Sequence, residues 1–130
     1  MKILIATDGL PPATHAIHEA AHLLASKGAE IVLVSVIDPE LHTGGNQDAE
    51  DDVAKGLALL AEHRIEARGE VLRGHFAEAI IERAGAMHAD VIVVGHERSG
   101  RLVKLLLGSV SSEVVRRARC AVLVVPHQSR

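Results

Sequence analysis

Aromatic residues are almost absent from this chain of 130 residues, which has one Phe, no Tyr and no Trp. Single-stranded nucleic-acid binding leans on aromatic platforms for base stacking, so the scarcity argues against that function class. There is no surplus of positive charge either. The 14 Lys and Arg are outnumbered by 17 Asp and Glu, and the formal charge of −3 supplies no basic field for duplex DNA. A lone cysteine, Cys120, cannot form an intramolecular disulfide and agrees with a reducing cytoplasm. No apolar run approaches the roughly 18 residues of a membrane span. The run after Met1-Lys2 ends at Asp8, too short for the core of a signal peptide. The expectation is a cytoplasmic protein with neither nucleic acid nor membrane as partner.

What is present is aliphatic. Hydrophobic residues make up 48% of the chain, so the core must be built from Val, Ile, Leu and Ala. The length predicts one domain over residues 1–130. Ile3-Leu4-Ile5-Ala6 reads as a buried strand closed by Thr7-Asp8-Gly9. Pro11-Pro12 then opens a helix of about 15 residues, with Ile17, Ala20, Ala21 and Leu24 on its core face and Gly28 as its stop. A second buried strand covers residues 31–37. Residues 40–48 read as a mobile loop, and the next helix carries Val53, Leu57, Leu60 and Arg64 on one side. Residues 65–72 alternate apolar with polar, which predicts a strand exposed on one face at a sheet edge. Gly74-His75 leads into a third helix with Phe76, Ile80, Ala84 and Met87 inward.

The most informative stretch follows. Val91-Ile92-Val93-Val94 halts at Gly95, and Gly108-Ser109 opens a helical pattern around Val110, Val114 and Ala118. Ala121-Val122-Leu123-Val124-Val125 closes the chain as a fifth strand. A β-branched run ending at glycine, with a glycine-serine pair opening a helix, is the layout of a phosphate cradle, because glycine lets backbone N–H groups approach an anion. Arg98, Arg101 and Lys104 in the intervening loop favour anionic cargo, and His96 sits at the expected ligand mouth. Read without that chemistry, the segment is a connecting loop ending in an ordinary helix cap. Five strands alternating with four helices predict an α/β fold with a parallel sheet and helices on both faces. The apolar last strand, if at an edge, predicts a homodimer that pairs through it.

Site chemistry separates the families that share this rhythm. A receiver domain lacks its acid pair here, and neither a hydroxyl-rich flavin loop nor Gly-x-Gly-x-x-Gly follows the first strand. The chain instead resembles the universal stress protein family over essentially its whole length. The resemblance rests on Asp8-Gly9 after the first strand, Ser35-Val36-Ile37-Asp38, and Gly74 followed by Ala77-Glu78-Ala79-Ile80. It rests also on the signature Gly-x2-Gly-x9-Gly-Ser/Thr, from Gly95 to Ser109. It implies an open five-stranded sheet of order 3-2-1-4-5, similar to the adenine-nucleotide alpha hydrolases, with a ligand crevice where the chain direction switches. It further implies ATP or AMP as ligand, with or without Mg. Asp8 would hold the ribose with Ala6 nearby, Val36 would meet adenine, and Val94 and Gly95 would line the phosphate side. Gly108, Ser109 and Val110 would hold phosphates. Arg98 stands where the signature has its second glycine, and either blocks a triphosphate or binds it bidentately.

Other constellations are weaker. His15, His18 and His22 share one side of the first helix, opposite its core face. They could hold Zn, Ni or Cu at a surface, but no carboxylate or cysteine completes a four-ligand set, and they are read as solvent-facing residues. Glu50, Asp51 and Asp52 read as a solvated first helical turn. Cys120 reads as a small buried hydrophobe. No nucleophile with a base and no paired carboxylates mark an enzyme. The function expected is a nucleotide-binding regulatory module. Its alternatives are an ATP-independent dimeric interaction protein and a slow ATPase.

Overall fold

The computed structural model describes residues 1–24, 26, 28–41, 46–98 and 109–128. Five parallel strands form one sheet: β1 (Lys2–Ala6), β2 (Glu30–Ile37), β3 (Arg68–Arg73), β4 (Val91–Arg98) and β5 (Ala121–Gln128). Their order is β3-β2-β1-β4-β5, as the family resemblance implied. Helices α1 (Pro11–Leu23), α2 (Asn46–Glu62), α3 (Phe76–Met87) and α4 (Ser109–Arg117) alternate with the strands.

The strand period of two divides the core into layers. Ile3, Ile5, Leu33 and Val93 face α1 and α2, where they meet Ala16, Ile17, Ala20 and Leu60. Leu4, Val32, Val34, Ile92 and Val94 face the other way, onto Ala77, Ile80, Ala84, Met87 and Val114 of α3 and α4. Because both faces are covered, Ile3, Leu4 and Ile5 of the central strand are no more than 1% exposed. Burial on both faces is why these strands read as unbroken apolar runs.

Several boundaries differ from the sequence expectation, each for a local reason. Helix α2 already begins at Asn46, inside the stretch read as a mobile loop. Asp48 suits its first turn, and Ala49 and Val53 are buried against the core. The helix ends at Glu62, so Arg64 lies beyond it, in a left-handed turn (φ 61°) whose next N–H, of Ile65, donates to the Leu60 carbonyl at 3.0 Å. That bond closes the helix in the manner usually left to glycine. Helix α1 stops at Leu23, short of Gly28, which adopts φ +91° in the turn toward β2.

Strand β3 begins at Arg68 rather than at residue 65, because Ile65 and Ala67 pack onto the core from the preceding connection. It is an edge strand, but it is not bare on one face. Gly69 lies under Val53 and Leu57 of α2, while Glu70 holds Arg83 of α3 in a two-pronged ion pair with N–O distances of 2.6 and 2.8 Å. Of the polar residues in the alternation, Glu70 thus meets an arginine, while Glu66 and Arg68 stay exposed to solvent. Strand β4 does not halt at Gly95 either. It runs on to Arg98, with Gly95 opposite Val125 and His96 opposite Pro126 of β5.

Candidate functional site

Beyond the carboxyl ends of β1 and β4 the chain returns in helices on opposite faces of the sheet, α1 and α4, an arrangement that opens a crevice in folds of this kind. Here the crevice is a cleft of about 200 Å³. Ala6, Thr7 and Asp8 form one wall, Val34 and Val36 of β2 another, and Val94 and Gly95 of β4 a third. Pro12 and Ala13 of α1, Phe76 and Ile80 of α3, and Val110 and Ser111 of α4 close it.

Each wall is fixed by a local device. The Thr7 hydroxyl accepts the Gly9 N–H at 3.1 Å, and Asp8 Oδ1 accepts the Leu10 N–H at 3.0 Å. Together they fold the chain back into α1 through Gly9, at φ +77°. Pro11 and Pro12 have no N–H, so the start of α1 is poor in donors facing the cleft. Gly95 is required by packing. A Cβ there would lie 2.5 Å from the Pro12 carbonyl oxygen and 2.9 Å from the Ala13 nitrogen. Ser111 ties the first turn of α4 to β4 by donating its hydroxyl to the Gly95 carbonyl at 3.1 Å. The opening N–H groups of α4 have no intrahelical partner, and they carry the positive end of its dipole.

Of the residues expected at the site, Ala6, Asp8, Val36, Val94, Gly95 and Val110 line this cleft. Ser109 is the first residue of α4 and Arg98 the last of β4. His96 is only 7% exposed and is not among the lining residues. Gly108 lies outside the described residues, as do Gly100, Arg101 and Lys104. The sequence reading missed Thr7, Pro12, Ala13, Val34, Phe76, Ile80 and Ser111. Phe76 carried a signal, since the one aromatic residue opens a helix at the same end of the sheet.

Two charged clusters flank the cleft. The Asp52 carboxyl contacts Gly9, and burial, followed by repulsion from Asp8, raises its pKa above the ordinary carboxylate value. It is therefore not a plain solvated residue of a first helical turn. At the end of β2, Asp38 is 5% exposed and accepts the Glu40 N–H at 3.0 Å. Its other oxygen meets His75 Nδ1 at 3.3 Å, while His75 Nε2 faces Glu40 at 4.0 Å. The hydrogen bond to Asp38 and the two nearby acids raise the His75 pKa. Elsewhere, burial pushes the Cys120 thiol up, consistent with a packing role.

The histidines of α1 do not simply face solvent. His15 stands over His127 of β5 with ring centres 5.5 Å apart, and His18 Nδ1 lies 3.0 Å from His63 Nε2. Among the described residues no helix is long and apolar enough to cross a membrane.

Comparison with known proteins gives this fold and cleft a context. A universal stress protein of Methanocaldococcus jannaschii is 30% identical over 137 residues, covering 95% of this chain and 81% of its own. One from Thermus aquaticus is 33% identical over 132 residues, covering 95% and 96%. Among solved structures, a universal stress protein in complex with cAMP superposes with a TM-score of 0.77 at 21% identity, covering 99% and 98% of the two chains. The Archaeoglobus fulgidus protein in complex with dAMP gives 0.75 at 19%, covering 96% and 97%. The Arabidopsis thaliana protein with AMP bound gives 0.69 at 17%, covering 98% and 92%. At such identities the superpositions establish the fold. Sequence establishes the rest: the model of the universal stress protein family matches residues 1–126, and this chain belongs to that family.

Proposed function

We propose that the cleft binds an adenine nucleotide and that the protein acts as a stress-response module whose contacts depend on that occupancy. The observation that carries the reading is the division of labour within the cleft. Val34, Val36, Phe76 and Ile80 offer apolar walls for the flat face of a base. Asp8, at the rim, offers a carboxylate to ribose hydroxyls. Phosphates belong at the start of α4, where the backbone of Ser109, Val110 and Ser111 presents N–H groups. The prolines at the start of α1 make that helix the poorer candidate. At about 200 Å³ the cleft falls below the ~300–1,000 Å³ usual for a whole ligand. It suits base and sugar, with the phosphates extending to the start of α4. Relatives of the same fold hold cAMP, dAMP and AMP, which supports an adenine nucleotide as the class.

The test is calorimetric titration of nucleotide-free protein with AMP and with Mg-ATP. Micromolar binding that weakens at least about tenfold in Phe76→Ala is expected, the loss of a buried aromatic contact being worth about 1.4 kcal/mol or more. No heat up to millimolar nucleotide would overturn the reading. Arg98→Gly then decides the role of Arg98: tighter ATP binding means obstruction, weaker binding a clamp. The proposal includes a homodimer through the free edge of β5, where Val122, Leu123 and Val124 are only half-buried. Light scattering that returns a monomer mass at micromolar concentration would remove that part.

A further inference from the structure

A second site lies on the α1–α2 side of the sheet. His18 and His22 are one turn apart on α1, a spacing that puts both side chains on one side of the helix. His63 reaches them from the end of α2, where its N–H is tied to the Leu60 carbonyl at 3.0 Å. His18 Nδ1 and His63 Nε2 are 3.0 Å apart. The ring centres of His63 lie 5.2 Å from His18 and 6.1 Å from His22.

We propose that His18, His22 and His63 form a binding site for a borderline transition-metal cation, Zn²⁺ foremost, that joins α1 to α2. A tetrahedral Zn²⁺ holds imidazole nitrogens at roughly 2.0–2.1 Å and so keeps two of them about 3.3 Å apart. The His18–His63 separation is within a few tenths of an ångström of that, so the ion takes the place of the shared proton. His22 is exposed and already edges onto the His63 ring, and a turn of its imidazole brings it in as the third ligand, with water in the fourth position. The neutral, all-nitrogen donor set selects Zn²⁺, Ni²⁺ or Cu²⁺ over Mg²⁺ or Ca²⁺, which require oxygen ligands.

One other group competes for the assignment. Asp38, Glu40 and His75 each offer a ligand atom within 4.8 Å of the others. There, however, Asp38 already spends one oxygen on the Glu40 N–H and the other on the His75 ring, and a set of two carboxylates and one imidazole is harder than the all-nitrogen set.

The experiment titrates the full chain, without a histidine tag, with ZnCl₂ and with MgCl₂. Zn²⁺ is expected to bind with one equivalent per chain at micromolar concentration and to raise the melting temperature, while Mg²⁺ does neither. His63→Ala and His22→Ala should each weaken Zn²⁺ binding beyond the roughly 10–100-fold typical of losing an outer-sphere partner, because each removes a direct ligand. His75→Ala should leave it unchanged. Both histidines of the test pair are exposed, so the metal-free melting temperatures should match that of the parent. Absence of micromolar Zn²⁺ binding overturns the proposal. So does Zn²⁺ binding that survives in His63→Ala, or that disappears in His75→Ala.

Discussion

The two faces of the sheet are closed by different means. On the α1–α2 face, glycine permits direct contact. Gly95 lies under the backbone of Pro12 and Ala13, Gly56 of α2 lies against Leu33, and Gly69 lies beneath Val53 and Leu57. On the α3–α4 face, polar pins set the spacing instead: Arg83 to Glu70, Ser111 to the Gly95 carbonyl, and His75 to Asp38. Both faces border the cleft, but Val34, Val36, Phe76, Ile80 and Val110 place most of its apolar wall on the pinned side. Where glycine brings a helix onto the sheet, that contact has no room for a ligand, whereas the helices held off by pins leave the apolar wall of the cleft open.

The contrast is most readily broken at Gly95. An alanine there meets helix backbone, which cannot rotate away as a side chain can. Overpacking of this kind costs typically 1–3 kcal/mol, and the rigid neighbour places Gly95→Ala at about 3 kcal/mol or more. Gly69→Ala meets only the side chains of Val53 and Leu57 and should cost about 1–2 kcal/mol. Urea unfolding of the two variants checks the order. Equal losses would mean that α1 shifts as easily as a valine side chain, and the closed-face description would fail.

The pins should respond to acid. The Glu70–Arg83 pair is less than a third exposed on both sides, and the Arg83 hydrogen bonds hold the Glu70 pKa below its ordinary value. A carboxylate depressed on folding adds stability that is present above its unfolded pKa of about 4.3 and is lost as pH falls through the folded value. Arg83→Ala should therefore cost about 1–2 kcal/mol at neutral pH, and stability should fall less steeply below about pH 4.5 than in the parent. Parallel acid limbs in the two proteins would show that the pair does not couple to folding. Ser111→Ala, which removes a single neutral hydrogen bond, should cost about 1 kcal/mol and loosen the start of α4. Amide exchange at Val114 and Val115, faster than in the parent, is the readout.

How much of this was legible beforehand follows from which interactions are local. The central strands were readable because burial on both faces leaves no polar residue in Ile3-Leu4-Ile5 or Val91-Ile92-Val93-Val94. Six of the expected site residues line the cleft because they sit at strand ends or at a helix start, positions that periodicity locates well. Contacts between distant segments were not readable. Nothing in the order of residues announces that Arg83 will meet Glu70, that His63 will reach His18, or that Pro12 and Gly95 will touch. For the same reason Gly95 read as the end of a strand, when it is the place where a continuing strand admits a helix. Phe76 and Ile80 read as inward residues of a helix, and they are, but the interior they face is a cleft wall.

The smallest expected effect concerns the most exposed pin. His75 occupies the N-cap position of α3 without a side-chain cap bond, its ring turned to Asp38 and Glu40 instead. Its pKa is raised first by the hydrogen bond to Asp38, then by the charges of Asp38 and Glu40. A histidine whose pKa rises on folding adds stability that is fully present below its unfolded value, about 6.5, and is lost as pH climbs through the folded value. This pin therefore loosens with base, opposite to the Glu70–Arg83 pair, so the pinned face should be held most firmly between the two transitions. Proton NMR of the His75 ring should show a titration midpoint above the ordinary histidine value. Asp38→Asn should lower it toward the ordinary histidine value, and Glu40→Gln should lower it less, because Glu40 is 4.0 Å away and 76% exposed. A midpoint insensitive to Asp38→Asn would reduce the contact to a chance approach on the surface, leaving Arg83 and Ser111 alone to set the spacing of that face.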